Sequence, residues 1–423
     1  MKHYKYFIIP CLLVFVIACQ TELDTLSKES SPEYAKTFII TPEEAVAQAQ
    51  QFRANIKGTT RADASNRVAS VYAWRSSDIY ADGLTRNSAG DVLPDTLLYI
   101  VNFDGDDGYA LVSSNTRYRG VVAYIEDGHL TPDDEIDNPG FEIFLEGYRD
   151  YFGGIPVDTS EIIPIHEDPG DYGEATSMYE LVYSAGPLLT TNWGQREPYN
   201  YYCFTDNGHQ APAGCVAIAL GQIAAYHQHP TSYNGHVYNW DAIMQYEQVP
   251  ISDTLASNSV AELIHDIGLL VFMHYTDSAS GAYFEDVYYC LDAFDYHNQM
   301  VYDVNFDSIS TDIINSKPVY MRGVRTYIDS LGQTKYVGHA WVVDGVVVKS
   351  YTVEEVDRMG HVVSSFTDYR NYVHCNWGWN GNSNGYFIIG AFEKQYDIVT
   401  DVPTDGYRAY NLYNRMYYSI YPN

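Results

Sequence analysis

The stretch APAGCVAIALGQIAAYHQHP, Ala211 to Pro230, decides how the rest of the chain is read. Cys215 follows a Pro-Ala-Gly turn and opens an apolar run that predicts a buried helix from about Cys215 to His227. At a helix start, backbone N–H groups and the macrodipole stabilise a thiolate, which lowers the thiol pKa and makes the sulfur nucleophilic near neutral pH. Cysteine is also a common small core residue, and taken alone that bland reading outweighs the chemical one.

Three other stretches change the balance. In GHAWVVDG, Gly338 to Gly345, His339 opens an apolar strand, where its ring stands at a sheet end and can act as a general base toward a thiol. In HCNWGWNG, His374 to Gly381, an Asn376 side chain can fix an imidazole tautomer while Trp377 shields that bond from water. In NWGQ, Asn192 to Gln195, the Gln195 amide can join the Cys215 backbone N–H in holding an oxyanion. Each has an ordinary structural reading: a hydrogen-bonded histidine, a Gly- and Asn-rich hairpin, a surface glutamine.

Together they stand in the order Gln, Cys, His, Asn. The local papain signature is missing, but the chain resembles the streptopain family of bacterial papain-like cysteine peptidases. The resemblance is carried by GQREPYN (Gly194 to Asn200), APAGCVA leading to YHQHP, GHAWVVDG, and NWGWNGNSNGYF, and it spans about Thr190 to Phe387. It implies an α+β, papain-like fold in which a central helix packs on an antiparallel sheet, preceded by a small α+β prodomain. It also implies a cysteine-type endopeptidase with Cys215 as nucleophile, His339 as general base and Gln195 as oxyanion donor. Asn376 and Trp377 take the orienting and shielding roles. Ser280 and Gly281, before Ala282, together with Gly338, resemble backbone positions that line the family's substrate cleft. No cofactor or metal is implied. Protein or peptide substrates and the chain's own prodomain, acting as an intramolecular inhibitor, are the implied partners. Rival readings are a papain-like transglutaminase or amidase, and a catalytically idle surface-binding protein.

Composition bounds the remaining classes. The 423 residues carry 24 Lys and Arg against 55 Asp and Glu, a formal net charge of −31. No basic stripe is available for phosphates, so nucleic acid is not an expected partner. With 46% hydrophobic residues, a large core can be buried. Cys203, Cys215, Cys290 and Cys375 are widely spaced, with no CxxC pair, so neither a disulfide framework nor a zinc knuckle is expected. His227, His229 and His236 lack a carboxylate or cysteine at ligand spacing.

The N-terminus carries a basic start, an apolar run from Phe7 to Ala18, and then Cys19. This pattern predicts an export signal over residues 1–19, ending either in a lipobox with lipidated Cys19 or in simple cleavage. The protein would then be a bacterial outer-membrane or cell-surface lipoprotein attached to the membrane through Cys19, or otherwise secreted. Residues 20–37 read as a tether and 38–165 as the inhibitory prodomain, which opens with a capping box at Thr41-Pro42-Glu43-Glu44. Residues 166–186 are acidic and Gly/Ser-rich and read as an exposed linker holding the activation cleavage; 187–423 is the peptidase domain.

Overall fold

The computed structural model describes residues 40–59, 66–75, 96–114, 120–152, 172–176, 179–328, 333–357, 359, 361–393 and 414–423. The expected export signal, Cys19 and the tether lie outside the described residues.

Seven helices are described: α1 Pro42–Lys57, α2 Pro139–Phe152, α3 Cys215–His227, α4 Trp240–Ile243, α5 Thr254–Leu270, α6 Val287–Ala293 and α7 Phe306–Ile314. Helix α1 starts where the capping box places it: Thr41 Oγ1 accepts from the Glu44 N–H, and Glu44 Oε2 accepts from the Thr41 N–H. Helix α5 begins at Thr254, where Asp253 caps its first turn by accepting from the N–H groups of Leu255 and Ala256. That turn is Thr- and Ser-rich, so apolar periodicity does not reveal it.

The strands are β1 Val68–Arg75, β2 Thr96–Phe103, β3 Tyr109–Ser113, β4 Val121–Ile125, β5 Tyr172–Thr176, β6 Glu180–Ala185, β7 Ser232–Tyr233, β8 His236–Val237, β9 His274–Tyr275, β10 Ser280–Gly281, β11 Tyr296–Val301, β12 Val319–Ile328, β13 Thr334–Asp357, β14 Val362–Asn376, β15 Gly385–Ile388 and β16 Arg415–Pro422. Among the described residues, one sheet runs in the order β1-β2-β3-β4-β15-β14-β13-β12-β16-β11, and every registered pair in it is antiparallel. The N-terminal unit is therefore joined to the rest through β4 and β15, with Tyr386 opposite Tyr124. Sequence alone presents the two as separate units, because nothing in either strand's pattern says which free edge it will meet.

β5 and β6 fall in the acidic window expected to be a linker, and both pair with β13. β13 and β14 extend as a ribbon well beyond the GHAWVVDG and HCNWGWNG stretches. The outer part of β14, from Val362 to Thr367, is exposed. Main-chain pairing holds this exposed ribbon, in which Val362, Val363 and Phe366 stand among Ser and Thr without regular alternation.

β13 divides two cores. Trp341 and Val343 pack with the N-terminal unit, α2 and Trp377; Ala340 and Val342 pack with α3 and α5. Every residue of α3 from Val216 to Ala225 is buried, which is why the helix reads as apolar all round.

Candidate active site

Cys215 is the first residue of α3. Gly214 before it sits at φ 91°, a left-handed conformation that glycine adopts without strain and that turns the chain into the helix. The thiol is half-buried, with the His339 imidazole and the Ala340 backbone close enough to act on its ionisation. Burial pushes its pKa up. The His339 hydrogen bond and charge, the Ala340 N–H and the Arg322 guanidinium outweigh that and hold it below the ordinary thiol value.

His339 lies on β13 and is only 2% exposed. Its Nε2 is 2.7 Å from the Trp377 carbonyl oxygen. A carbonyl can only accept, so Nε2 carries the proton and donates, which leaves Nδ1 to exchange a proton with the thiol. The rings of Trp341, Trp377 and Trp379 surround the imidazole at centroid distances of 6.4, 6.5 and 5.9 Å.

Asn376 does not face the imidazole. Its Oδ1 accepts from Gln222 Nε2 (3.1 Å) and the Gly378 N–H (3.2 Å), and its Nδ2 donates to the Thr191 carbonyl (2.7 Å). The orienting contact expected from this side chain comes instead from the main-chain carbonyl of the next residue. Strand alternation explains the difference, since consecutive side chains leave a strand on opposite faces.

Gln195 is half-buried, and its carbonyl accepts from the Ala213 N–H at 2.9 Å, which ties the Asn192–Gln195 segment to the turn before Cys215. Ser280 and Gly281 form β10 opposite β9, and the Ser280 carbonyl borders Gly214: a Cβ placed there would stand 3.3 Å from it. Gly338 is exposed on β13, opposite Val324. The structure thus gathers Cys215, His339, Gln195 and Ser280 around the start of α3, with Trp377 and Gly338 beside His339 and Asn376 behind them.

Sequence reasoning missed Gln222, which is fully buried two turns along α3. It accepts from Thr191 Oγ1 (3.1 Å) and the Trp193 N–H (3.2 Å), and donates to Asn376. It therefore joins the helix carrying the cysteine to both the Gln195 segment and the loop carrying Trp377. The available signal was a lone amide in an otherwise apolar helix.

The N-terminal unit also reaches the site. In the first turn of α2, a Cβ on Gly140 would stand 2.2 Å from Trp377 Cε3 and 2.9 Å from His339 Cδ2, so only glycine fits. Asn138 caps that turn through the Gly140 and Phe141 N–H groups and donates to the Asn382 carbonyl. Arg325 on β12 pairs with Glu142 and Glu146 of α2.

The remaining cysteines, Cys203, Cys290 and Cys375, are free and buried; burial raises the Cys203 thiol to about 11. His229 bonds the Phe294 carbonyl, and His236 bonds Asp266. Among the described residues, no three His, Cys, Asp or Glu side chains converge as a metal site.

Two family profiles match this chain: Peptidase C10 family over residues 193–387 and Spi protease inhibitor over residues 37–152. Residues 193–387 thus form a Peptidase C10 family domain. Its class is cysteine-type endopeptidase, a hydrolase, and the Spi-type unit is the N-terminal one that touches His339 and Trp377. Streptopain of Streptococcus pyogenes is 24% identical over 357 residues, covering 73% of this chain and 77% of that protein. Thiol protease/hemagglutinin PrtT of Porphyromonas gingivalis is 26% identical over 334 residues, covering 70% of this chain; the chain spans about a third (34%) of that longer relative. A Prevotella intermedia prointerpain A fragment has the same fold, with a TM-score of 0.52 at 20% identity, covering 78% of this chain and 98% of that one.

Proposed function

We propose that this chain is an exported zymogen that hydrolyses peptide bonds by thiol chemistry. The observation that carries the reading is the placement of Cys215 at the start of α3 beside His339, whose imidazole is held by the Trp377 carbonyl. Cys215 Sγ attacks the scissile carbonyl carbon, and the Gln195 side chain with the Cys215 N–H holds the resulting oxyanion. His339 Nδ1–H protonates the leaving amine as the C–N bond breaks. Water, giving its proton to His339, then hydrolyses the thioester and frees the thiol. Trp377 orients and shields the imidazole, while Ser280, Gly281 and Gly338 offer main-chain contacts to an extended peptide.

The N-terminal unit, about residues 38–165, blocks the cleft by seating α2 on His339 and Trp377. Cutting between 166 and 186 releases the peptidase domain, 187–423. Export rests on the pattern of residues 1–19, with Cys19 as the lipid attachment point of a membrane-anchored form.

The test is incubation of purified full-length protein beside Cys215→Ala, with fragments identified by mass. Wild type alone should lose its N-terminal unit and, once cut, react at Cys215 with a thiol-directed epoxide. Failure of both, even after trimming by an added protease, refutes the reading.

A further inference from the structure

Among the described residues, Arg322 is the one cation beside the nucleophile that has no acidic partner. It lies on β12 opposite Ala340, between Tyr320 opposite Val342 and Val324 opposite Gly338. Residues facing each other across an antiparallel ladder share a sheet face. Tyr320, Ala340 and Val342 pack in the core that holds α3, so Arg322 projects on the side of the sheet from which Cys215 approaches. Its Nη2 stands 3.5 Å from where a Cβ on Gly338 would be, and its charge is among those that stabilise the Cys215 thiolate. It is half-buried.

Neighbouring arginines are paired: Arg325 with Glu142 and Glu146, Arg415 with Glu285. Arg322 has neither an ion pair nor a hydrogen bond among the described residues. In a chain with 55 acidic residues against 24 basic ones, that is a selective omission. Two hydroxyls nearby are also buried without partners. Tyr320 Oη lies within reach of the charges of both Arg322 and Cys215, and Ser280 Oγ belongs to the residue whose carbonyl borders Gly214. A guanidinium with unengaged donors suits a carboxylate, which accepts two parallel N–H bonds and has lone pairs left over.

We propose that Arg322 is a specificity-determining residue: the cleft selects substrates with an aspartate or glutamate side chain within two residues of the scissile bond, held by this guanidinium. The proposal rests on the peptidase reading above and adds the class of substrate side chain. The chain's own expected cleavage window fits it, carrying Glu167, Asp168, Asp171 and Glu174. The strong negative charge of the molecule repels acidic peptides at long range, so a preference for them must arise from a local contact such as this one.

Processed protein is assayed with peptide pairs that differ only as Glu/Gln or Asp/Asn at each of the two positions on either side of the cut. At one position the acidic peptide should exceed its amide twin in kcat/KM by about tenfold, the scale of a charge-assisted hydrogen bond. Arg322→Gln should bring that ratio close to one, Arg322→Lys should retain part of it, and Arg322→Glu should favour a lysine peptide at the same position. Because each comparison is a ratio within one protein, a variant's overall loss of activity does not obscure it. Wild-type ratios within about twofold at all four positions overturn the proposal, as does a ratio that survives unchanged in Arg322→Gln. Absence of any cleavage together with absence of Cys215 alkylation sinks the peptidase reading itself, a distinct outcome.

Discussion

Gly140→Ala inserts one methyl group where α2 meets His339 and Trp377. The new Cβ would stand 2.2 Å from Trp377 Cε3, and that ring has no room to retreat. Trp377 is fully buried, its Nε1–H donates to the Ser383 carbonyl at 2.9 Å, and its backbone N–H donates to Asn384 Oδ1 at 3.0 Å. Overpacking at such a site costs about 1–3 kcal/mol. Alanine recovers at most about 1 kcal/mol over glycine in mid-helix, and less in a first turn. The clash therefore wins by about 1–2 kcal/mol, which raises the population with α2 lifted from the site by about five- to thirtyfold.

The assay is the rate at which a small alkylating reagent modifies Cys215 in the uncut chain, with the peptide carrying Cys215 followed by mass. Cys203, Cys290 and Cys375 are buried and serve as slow internal references. Labelling should speed up by the factor above, and self-cutting should speed up with it. A Gly140→Ala chain with native circular dichroism and wild-type rates of both would refute the claim that this contact closes the cleft.

Three further outcomes follow from the same geometry. Gln222→Leu strips the buried Trp193 N–H and Thr191 hydroxyl of their shared acceptor, and should cost about 2–5 kcal/mol in thermal or urea unfolding on a Cys215→Ala background. Asn376→Ala removes a brace and leaves the His339 contact with Trp377 intact, so it should lower the melting temperature without moving the pH profile of Cys215 alkylation. The third concerns His374, whose Nδ1 meets Asp344 Oδ1 at 2.5 Å and whose Nε2 lies 3.3 Å from Glu126 of the N-terminal unit. Burial opposes its charge, but Asp344 and then Glu126 outweigh that and raise its pKa to about 10. The folded value lies above the unfolded one, so the stabilisation is complete below about pH 6.5 and is lost as pH rises through about 10. Full-length Cys215→Ala should lose melting temperature across that window, and Glu126→Gln should flatten the slope.

Local chemistry was legible in the sequence wherever it lies along a few consecutive residues. The capping box before α1, the largely apolar helix behind Cys215, the strand after His339 and the Asn-Trp turn are each short-range patterns set by backbone geometry and side-chain period. Their chain order pointed to Cys215 and His339 before any coordinates. Tertiary structure alone decided which atoms meet. It turned Asn376 toward Gln222 and gave the imidazole a main-chain carbonyl, because strand alternation and the register of β14 set which way each side chain leaves the ladder. It also joined β4 to β15 and seated Gly140 against Trp377, pairings between segments far apart in the chain. Such contacts depend on edge complementarity and on the absence of a single methyl group, and neither leaves a periodic trace in sequence.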